Sequence, residues 1–366
     1  MDFELSDEQQ AILDLAGQIL GDLCHPDRLR EHEDSGEPTP AAAWQALAAA
    51  DLLGVALPEA VGGGGYGVLE ASLVAEQVGR HVAPVPFVPT LAAAMVLAEH
   101  TAETHAGLLA DVIAGRAVLT AALSEGGTDI TPWHPETTAE RDGARWRLDG
   151  EKRFVPWGVE AARVLVPART GEGTVAVFVV DPAGDGVTTE EERGMAGLPQ
   201  AAIALSGAWA AAPIGDDAVL RRLVEVSTAL VCATLAGVCD GALRLTATHA
   251  IERQQFGSPI GTFQAVAHRL ADAYIDAEGV QLTARQAAWR MAAGLPAADE
   301  LHIAKFWASE ASHRVVHAAQ HVHGGIGVDI DYPVHRYFRW AKSLEGHLGS
   351  ATEHLVQLGA RMAASA

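Results

Sequence analysis

Over much of the chain, apolar residues recur every three to four positions, which is the spacing of one face of an α-helix. The first such stretch follows Ser6, whose hydroxyl can cap a helix while Gln9 closes a capping box. From Asp216 to the C-terminus the same spacing predicts four or five long helices. Further helices are predicted over 42–53, 69–82, 91–99 and 108–113, with a loop rich in Asp, Glu, Gly and Pro over 25–40.

Near Val118 the apolar pattern changes character. Short segments rich in Val and Leu, punctuated by Gly, Asp and Pro, are typical of strands and hairpins. The order of helices, strands and helices predicts an α+β chain, with a small β-barrel or sandwich inserted between two helical parts. The predicted strands are 119–123, 145–148, 163–166 and 174–180.

Composition narrows the class of protein. The 366 residues carry a net charge of −22, from 47 acidic and 25 basic side chains, so we expect no nucleic-acid partner. Cys24, Cys232 and Cys239 form no C-x-x-C pair and are expected to be buried thiols in a reducing cytoplasm. We expect neither a signal peptide nor a membrane partner, because the N-terminus lacks a basic and apolar leader and the longest apolar run, 226–239, is too short to span a bilayer.

Two segments near the C-terminus carry the candidate chemistry. The first, RQQFGSPIGTFQ over 253–264, predicts the end of one helix, a turn fixed by Pro259 and the start of another helix. At such a turn Arg253 could bind a phosphate through two donors, or could be a surface residue beside a structural turn. The second, QHVHGGIG over 320–327, places glycines where a backbone can approach a diphosphate closely and form an anion nest.

Together these motifs resemble those of the acyl-CoA dehydrogenase family of flavoproteins, and the resemblance extends over nearly the whole chain. It implies an N-terminal helical domain over 1–117, a middle β-barrel domain over 118–213 and a C-terminal four-helix bundle over 214–366. It also implies a bound FAD, with Arg253 on the pyrophosphate and contacts that often cross a subunit boundary. The other residues that the resemblance assigns to FAD in this part of the chain are Phe256, Gln264, Gln320, Gly324 and Gly325.

A looser match lies in the middle of the chain. The segment WRLDGEKRFV over 146–155 is similar to the family's hairpin beside the flavin ring, which places Phe154 there. The segment LSEGG over 123–127 aligns with a loop that usually reads TEPGAGSD, and Ser124 keeps a hydroxyl where the family has a Thr near flavin N5. Trp157, which follows an altered position, could stack on the ring or be a packed structural residue.

The family's reaction is the α,β-dehydrogenation of an acyl thioester. It needs a carboxylate that removes the α-proton while hydride leaves the β-carbon for the flavin. Counting from Ala341-Lys342, the usual Glu position falls on Leu348, which cannot act as a base. The positions that other members use fall on Ser227 and Thr234, which cannot replace it either.

Glu345, three residues before Leu348, is the predicted catalytic base if a small loop shift brings it inward. The alternative, which the sequence favours, is a surface carboxylate or a structural carboxylate near FAD. His347 and Glu353 are nearby substitutes, and Asp240 on the helix over 226–248 could face the pocket, although its position favours a capping or paired role. The spacing of His313, His317 and His321 on one helical face would suit zinc. No H-E-x-x-H arrangement accompanies them, so we expect no metal.

Three hypotheses for function remain open. The chain is an acyl-CoA dehydrogenase of lipid metabolism that passes electrons to an electron-transfer flavoprotein, or a base-lacking FAD-binding subunit of a heteromeric dehydrogenase. The third is a divergent flavoenzyme that acts on a thioester held by an acyl-carrier protein, or an oxidase or monooxygenase. The resemblance implies an acyl-CoA or acyl-carrier-protein substrate and a dimer or tetramer of one or two kinds of chain.

Overall fold

The computed structural model describes residues 4–126, 132–171 and 173–365. Helices precede and follow a block of strands, which confirms the predicted α+β order. The N-terminal helices are α1 (Asp7–Leu23), α2 (Pro26–Ser35), α3 (Ala41–Ala49), α4 (Val68–Arg80) and α5 (Phe87–Ile113). The C-terminal helices are α6 (Asp217–Glu252), α7 (Gln264–Ala292), α8 (Ala298–His323), α9 (Val334–Leu344) and α10 (Ala351–Ser365).

The start of α1 follows the predicted capping box. The backbone N–H of Gln9 donates to the Ser6 hydroxyl at 3.2 Å, and the Ser6 N–H donates to the Gln9 side chain at 3.0 Å. The prediction of a loop over 25–40 is wrong, because α2 occupies most of it. This helix buries only Leu29 and is polar on every other side, so it has no apolar face for a sequence pattern to reveal.

Two predicted helices are joined into one. The segments 91–99 and 108–113 both belong to α5, which bends where Thr101 and His105 leave helical backbone angles. The Thr101 hydroxyl donates to the Leu97 carbonyl at 3.0 Å, and the His105 ring contacts Thr101 Oγ1 at 3.0 Å. Polar side chains therefore satisfy backbone groups at the bend, where the apolar periodicity lapses.

The middle strands form one mixed seven-stranded sheet in a half-barrel arrangement. The order is β1-β4-β2-β3-β7-β6, and β5 pairs with β4. Three of these strands, β2, β6 and β7, were not predicted, because β2 and β6 are rich in charged residues and β7 in Ala. The strands are β1 (Leu119–Ala121), β2 (Thr138–Asp142), β3 (Arg145–Pro156), β4 (Arg163–Thr170), β5 (Val175–Val180), β6 (Val187–Arg193) and β7 (Pro199–Ala210).

The chain divides into two compact units. One consists of Ser35–Gly67 and Pro84–Ser227 and holds the sheet, whose core includes Leu148, Phe178 and Ile203. The other consists of the described parts of Met1–Asp34, Val68–Ala83 and Thr228–Ala366.

In the second of these units α4 and α6 pack backbone against backbone. A Cβ added to Gly79 would lie 1.9 Å from the Thr234 carbonyl oxygen, and one added to Gly237 would lie 1.8 Å from that of Glu76. Glycine at both positions therefore permits the close approach. The apolar stretch of α6 would be long enough to cross a membrane, but 89% of it is buried, as in a core helix.

Candidate functional site

The segment 253–264 forms a tight hairpin after α6. Two short strands, β8 (Gln254–Gln255) and β9 (Ser258–Pro259), pair antiparallel around Phe256 and Gly257. Both turn residues have positive φ, +53° and +78°, as a two-residue I′ turn requires. The turn leaves the Phe256 side chain 94% exposed, with its ring centroid 6.2 Å from that of Phe263.

Arg253 is held by its backbone and left free at its tip. Its N–H donates to the His249 carbonyl and its own carbonyl accepts the Ile260 N–H, both at 2.8 Å. Its guanidinium forms no hydrogen bond or ion pair with any residue that the structure describes. Gln264, the first residue of α7, is also exposed. Both side chains are therefore available to a ligand.

The second motif opens at the end of α8. Gly324 has φ +60°, and no atom of the described chain lies within 4 Å of where a Cβ would stand on Gly324 or Gly325. The backbone here is thus open to a close-lying group. Within the described ranges, the buried Oε1 of Gln320 has no hydrogen-bond partner. Buried polar atoms are almost always paired, so this oxygen suits a bound donor such as a ribose hydroxyl or an adenine amino group.

Two histidines, one beside each motif, are in contact with each other. The His249 and His323 rings stack with centroids 4.4 Å apart, and the Tyr332 ring meets the His323 ring at 5.1 Å. His249 lies one helical turn before Arg253 and His323 directly precedes Gly324. Burial lowers the pKa of both histidines. His249 is not among the site residues that the sequence predicts, although it lies in the last turn of α6, only four residues before Arg253.

An unpaired guanidinium, an open glycine backbone and an orphaned amide oxygen thus lie in one region of one unit. This combination fits the ADP part of FAD, because Arg and bare backbone suit a diphosphate and the amide suits its hydroxyl and amino groups.

The loop that carries Ser124 is tied to β3. The Ser124 carbonyl accepts the Arg153 N–H at 2.9 Å. The neighbouring Glu125 pairs with the buried ammonium of Lys152 at 2.5 Å and accepts the Thr137 hydroxyl at 2.6 Å. Desolvation would raise the pKa of Glu125, but the charge and hydrogen bond of Lys152, together with the hydrogen bonds from Thr137 and Glu136, outweigh it and lower that pKa. The aligned Gly127 lies outside the described residues.

Phe154 and Trp157 take opposite environments on the same hairpin. Phe154 is 53% exposed, whereas Trp157 is only 4% exposed. The Trp157 indole N–H donates to the Thr39 hydroxyl at 3.0 Å. Of the two readings of Trp157, the structure therefore favours the packed structural residue.

No free carboxylate lies beside Leu348 in the described segments after α9. Glu345 contacts Lys342 through one oxygen and His313 Nδ1 through the other, at 3.3 Å. Glu353 accepts the Ser350 N–H at 2.6 Å and so caps α10. Both carboxylates are therefore engaged by neighbouring groups.

Of the remaining positions, His347 is half-buried, and Ser227 and Thr234 are buried. Burial, reinforced by the nearby positive charge of Lys305, lowers the pKa of His347 to about 4. Ser227 and Thr234 lie inside α6, and the Thr234 hydroxyl donates to the Leu230 carbonyl at 2.8 Å.

The His-rich face of α8 is occupied by its own contacts. The His313 and His317 rings stack at 4.1 Å, and His317 Nδ1 lies 2.7 Å from the His313 carbonyl oxygen. Among the residues described, no group of three or more His, Cys, Asp or Glu is arranged to hold a metal ion.

The chain is similar over nearly its whole length to several acyl-CoA dehydrogenases. Relatives from Mycobacterium tuberculosis include the acyl-CoA dehydrogenases FadE27, 38% identical, and FadE28, 35% identical, each over 99% of both chains. Similar solved structures include the Tcur3481-Tcur3483 steroid ACAD, 41% identical with a TM-score of 0.93 over 98% of both chains. The ChsE4-ChsE5 complex from Mycobacterium tuberculosis is 38% identical, with a TM-score of 0.94 over 99% of both chains.

Family models cover almost the whole chain. The N-terminal domain of acyl-CoA dehydrogenase matches residues 6–116, the middle domain 120–208 and the C-terminal domain 217–363. The chain therefore belongs to the acyl-CoA dehydrogenase family of FAD-dependent oxidoreductases that act on CH–CH bonds.

Proposed function

We propose that this chain is the base-lacking, FAD-binding subunit of a heteromeric acyl-CoA dehydrogenase. The observation that carries the proposal is Leu348, an aliphatic residue at the family's usual base position, next to carboxylates that are already engaged. A second, different chain would then supply the carboxylate. The 38% identity to a chain of the ChsE4-ChsE5 complex, whose name gives two components, supports this assembly.

In this proposal the C-terminal motifs hold the ADP end of FAD. Arg253 donates to the pyrophosphate, the backbone at Gly324 and Gly325 lies against it, and Gln320 accepts from the ribose or adenine. Phe256 and Gln264 add an aromatic face and an amide from the neighbouring hairpin and helix. When bound, FAD would supply the acceptor for the hydride that leaves the substrate.

Ser124 and Phe154 would contact the flavin-ring end of a bound FAD. The ADP and ring contacts need not come from one protomer, so two chains can share one FAD. Sharing one FAD between two chains supports an obligate dimer or a tetramer. It also explains how a chain without a base could still be required for activity. The family resemblance supports domain boundaries at 1–117, 118–213 and 214–366, and the described strands of the sheet all fall within 119–210.

The substrate class follows from the reaction and the relatives. We assign a CoA thioester as the substrate, and the steroid ACAD similarity favours a bulky polycyclic acyl group. An acyl-carrier-protein thioester is the alternative carrier. An electron-transfer flavoprotein is the proposed acceptor, and the cytoplasm is the proposed location.

A second candidate function is a self-sufficient dehydrogenase with Glu345 as the base. It is favoured by one observation, the position of Glu345 at the end of α9, only three residues from Leu348. For this function the Glu345 carboxylate would have to leave Lys342 and His313 when substrate binds.

An anaerobic titration distinguishes the two functions. The chain is purified alone and together with a dehydrogenase-like chain from the same genome that carries a Glu at the usual position. Acyl-CoAs from short to steroid-like are added while the flavin absorbance is followed. The heteromeric function predicts bleaching only with the second chain, and no effect of Glu345→Gln. Bleaching by the chain alone, abolished by Glu345→Gln, would establish the self-sufficient enzyme instead.

A further inference from the structure

The hairpin that carries Phe154 contains two strained residues. Phe154 and Trp157 have φ values of +54° and +48°, in the left-handed region that bulky residues rarely adopt. Between Lys152 and Val155 the pairing of β3 with β7 shifts register, so the regular ladder is interrupted at Phe154. Such backbone angles persist only where surrounding bonds over-determine them, and they cluster at functional sites.

A single carboxylate on β6, the strand on the far side of β7, replaces the interrupted ladder. Glu192 Oε2 accepts the backbone N–H of Phe154 at 2.7 Å. Glu192 Oε1 accepts from Arg153 Nε at 2.7 Å and also from Arg153 Nη2. The Glu192 side chain is only 13% exposed, so its carboxylate is largely shielded from water, whereas the Arg153 side chain is 38% exposed.

The other end of the strained segment is fixed by different partners. The Trp157 N–H donates to the Pro199 carbonyl at 3.0 Å, and its indole N–H donates to Thr39. With both ends held, the Phe154 ring is left 53% exposed, and the Arg153 guanidinium carbon lies 5.7 Å from its centroid. An exposed apolar ring on a strained backbone is an arrangement that folding alone does not favour.

We propose that Glu192 is a positioning residue that holds Phe154 in its left-handed conformation and keeps its ring presented to the flavin. The inference rests on the proposed function, because only that function places a flavin ring at this hairpin. Glu192 touches neither substrate nor cofactor in this role and acts through the Phe154 backbone.

A simple surface ion pair between Glu192 and Arg153 would behave differently. It would leave the Phe154 amide unaffected when Glu192 is changed, and Arg153→Ala would reproduce every effect of Glu192→Ala. A positioning role requires the amide of Phe154 to lose its acceptor in Glu192→Ala alone. Glu192→Gln, which keeps an acceptor oxygen, should rescue much of the effect.

The first measurement needs no flavin. Hydrogen exchange followed by mass spectrometry on the peptide around Phe154 is compared for the full-length protein and its variants. Glu192→Ala should raise exchange at Phe154 by about tenfold or more, the scale of one lost charged hydrogen bond. The matched control is Glu190→Gln on the same strand, an exposed residue whose exchange pattern should stay that of the parent. Unchanged exchange in Glu192→Ala would overturn the positioning role.

A double variant tests the strain directly. Glycine accepts positive φ without a side-chain penalty, so Phe154→Gly should make the backbone independent of Glu192. In that background Glu192→Ala should shift the urea midpoint far less than it does in the parent. Equal shifts in both backgrounds would mean that Glu192 does not hold the left-handed conformation.

The second measurement uses the FAD-loaded heteromeric protein. Glu192→Ala should shift the flavin absorbance maxima and the reduction potential, whereas Glu190→Gln should not and Glu192→Gln should shift them less. Faster exchange at Phe154 without a change in the flavin absorbance or reduction potential would show that Phe154 is not presented to the flavin ring. The proposed function would be unaffected by that result. Failure of the parent protein to bind FAD with any partner would overturn the proposed function, and the inference with it.

Discussion

The ammonium nitrogen of Lys305 lies 3.0 Å from the carbonyl oxygen of Gly349, the residue directly after Leu348. It also donates to the Glu345 carbonyl at 2.9 Å and to the Ser309 hydroxyl at 2.8 Å. Lys305 is fully buried, and its hydrogen bonds within the described chain go to carbonyls and a hydroxyl. A cation at the end of α9 stabilises the orphan carbonyls there. Lys305 therefore fixes the loop that holds the family's usual base position.

Replacing Lys305 by Met should loosen this loop. Burying the ammonium is unfavourable and desolvation lowers its pKa to about 8, but its removal leaves several carbonyl oxygens without a donor. We expect a net loss of about 1–3 kcal/mol in the free energy of unfolding, measured by urea denaturation. Ser309→Ala, which removes one partner and keeps the ammonium, should lose less. A Lys305→Met protein with the parent's midpoint would contradict this account.

The same loop makes stability fall in acid. Burial lowers the pKa of His354 to about 4, from an ordinary 6.5, and its Nε2 contacts the Leu348 carbonyl at 2.9 Å. Between pH 6.5 and about 4 the unfolded chain binds a proton here and the folded chain does not, so stability declines as pH falls through this window. Each such histidine contributes up to about 1.4 kcal/mol per pH unit.

Urea midpoints between pH 4.5 and 7 check this dependence. His354→Gln, which can still donate to the Leu348 carbonyl, should flatten the curve. The exposed His268→Gln is the matched control and should leave the slope as it is. A slope that is identical in the parent and in His354→Gln would show that His354 does not carry the effect.

Gly79→Ala should separate α4 from α6. The new methyl group would lie 1.9 Å from the Thr234 carbonyl oxygen, a backbone atom that cannot move aside cheaply. We expect thermal denaturation to show a loss of roughly 1–3 kcal/mol or more. Gly359→Ala in α10, where no atom of the described residues lies within 4 Å of the added Cβ, should instead gain about 0.5–1 kcal/mol from helix propensity. Equal changes at the two positions would refute the close packing.

Periodicity revealed the elements that bury one face and missed those that do not. α1 was found because Ala16 and Leu20 are buried on one side of it, whereas α2 buries only Leu29. Strand β6 has no fully buried residue in its run and carries three consecutive Glu, so nothing in it marks a strand.

The residues of the candidate site also fall into those that the sequence could predict and those that it could not. Glycine and Arg positions could be read from short motifs, because the resemblance rests on local spacing. The contact between Glu345 and His313 spans 32 residues, and that between Trp157 and Thr39 spans 118. Such pairs depend on tertiary packing, which no local spacing reports. Glu192 lies outside every motif, and its contacts also depend on tertiary packing. The sequence alone could therefore not identify it.

Arg253→Ala should weaken FAD retention. The guanidinium has no partner of its own in the described chain, so its loss removes a charged contact to the pyrophosphate without leaving an unpaired group behind. A charged hydrogen bond of roughly 1.5–3 kcal/mol corresponds to about 10–100-fold weaker binding. Flavin content after gel filtration measures the effect. Arg221→Ala, an exposed Arg near the start of α6, is the matched control, and equal flavin content in both variants would exclude the pyrophosphate role.

Leu348→Glu should give this chain a base of its own. Leu348 has φ +61°, and Glu meets the same backbone penalty there as Leu, so the loop held by Lys305 should keep its shape. A positioned general base contributes roughly 10²–10⁴-fold to a rate, which is enough to make flavin reduction by an acyl-CoA visible in stopped flow.

Leu348→Gln is the matched control, since it has the same shape and hydrogen-bonding reach without a carboxylate. With this chain loaded with FAD in the absence of the second chain, and with an acyl-CoA bound, the Glu variant should bleach the flavin while the Gln variant and the parent should not. Tight acyl-CoA binding without bleaching in the Glu variant would mean that position 348 does not face the α-carbon. The base of the working enzyme would then have to be sought elsewhere on the partner chain, because the usual loop would not be the place where the α-proton leaves.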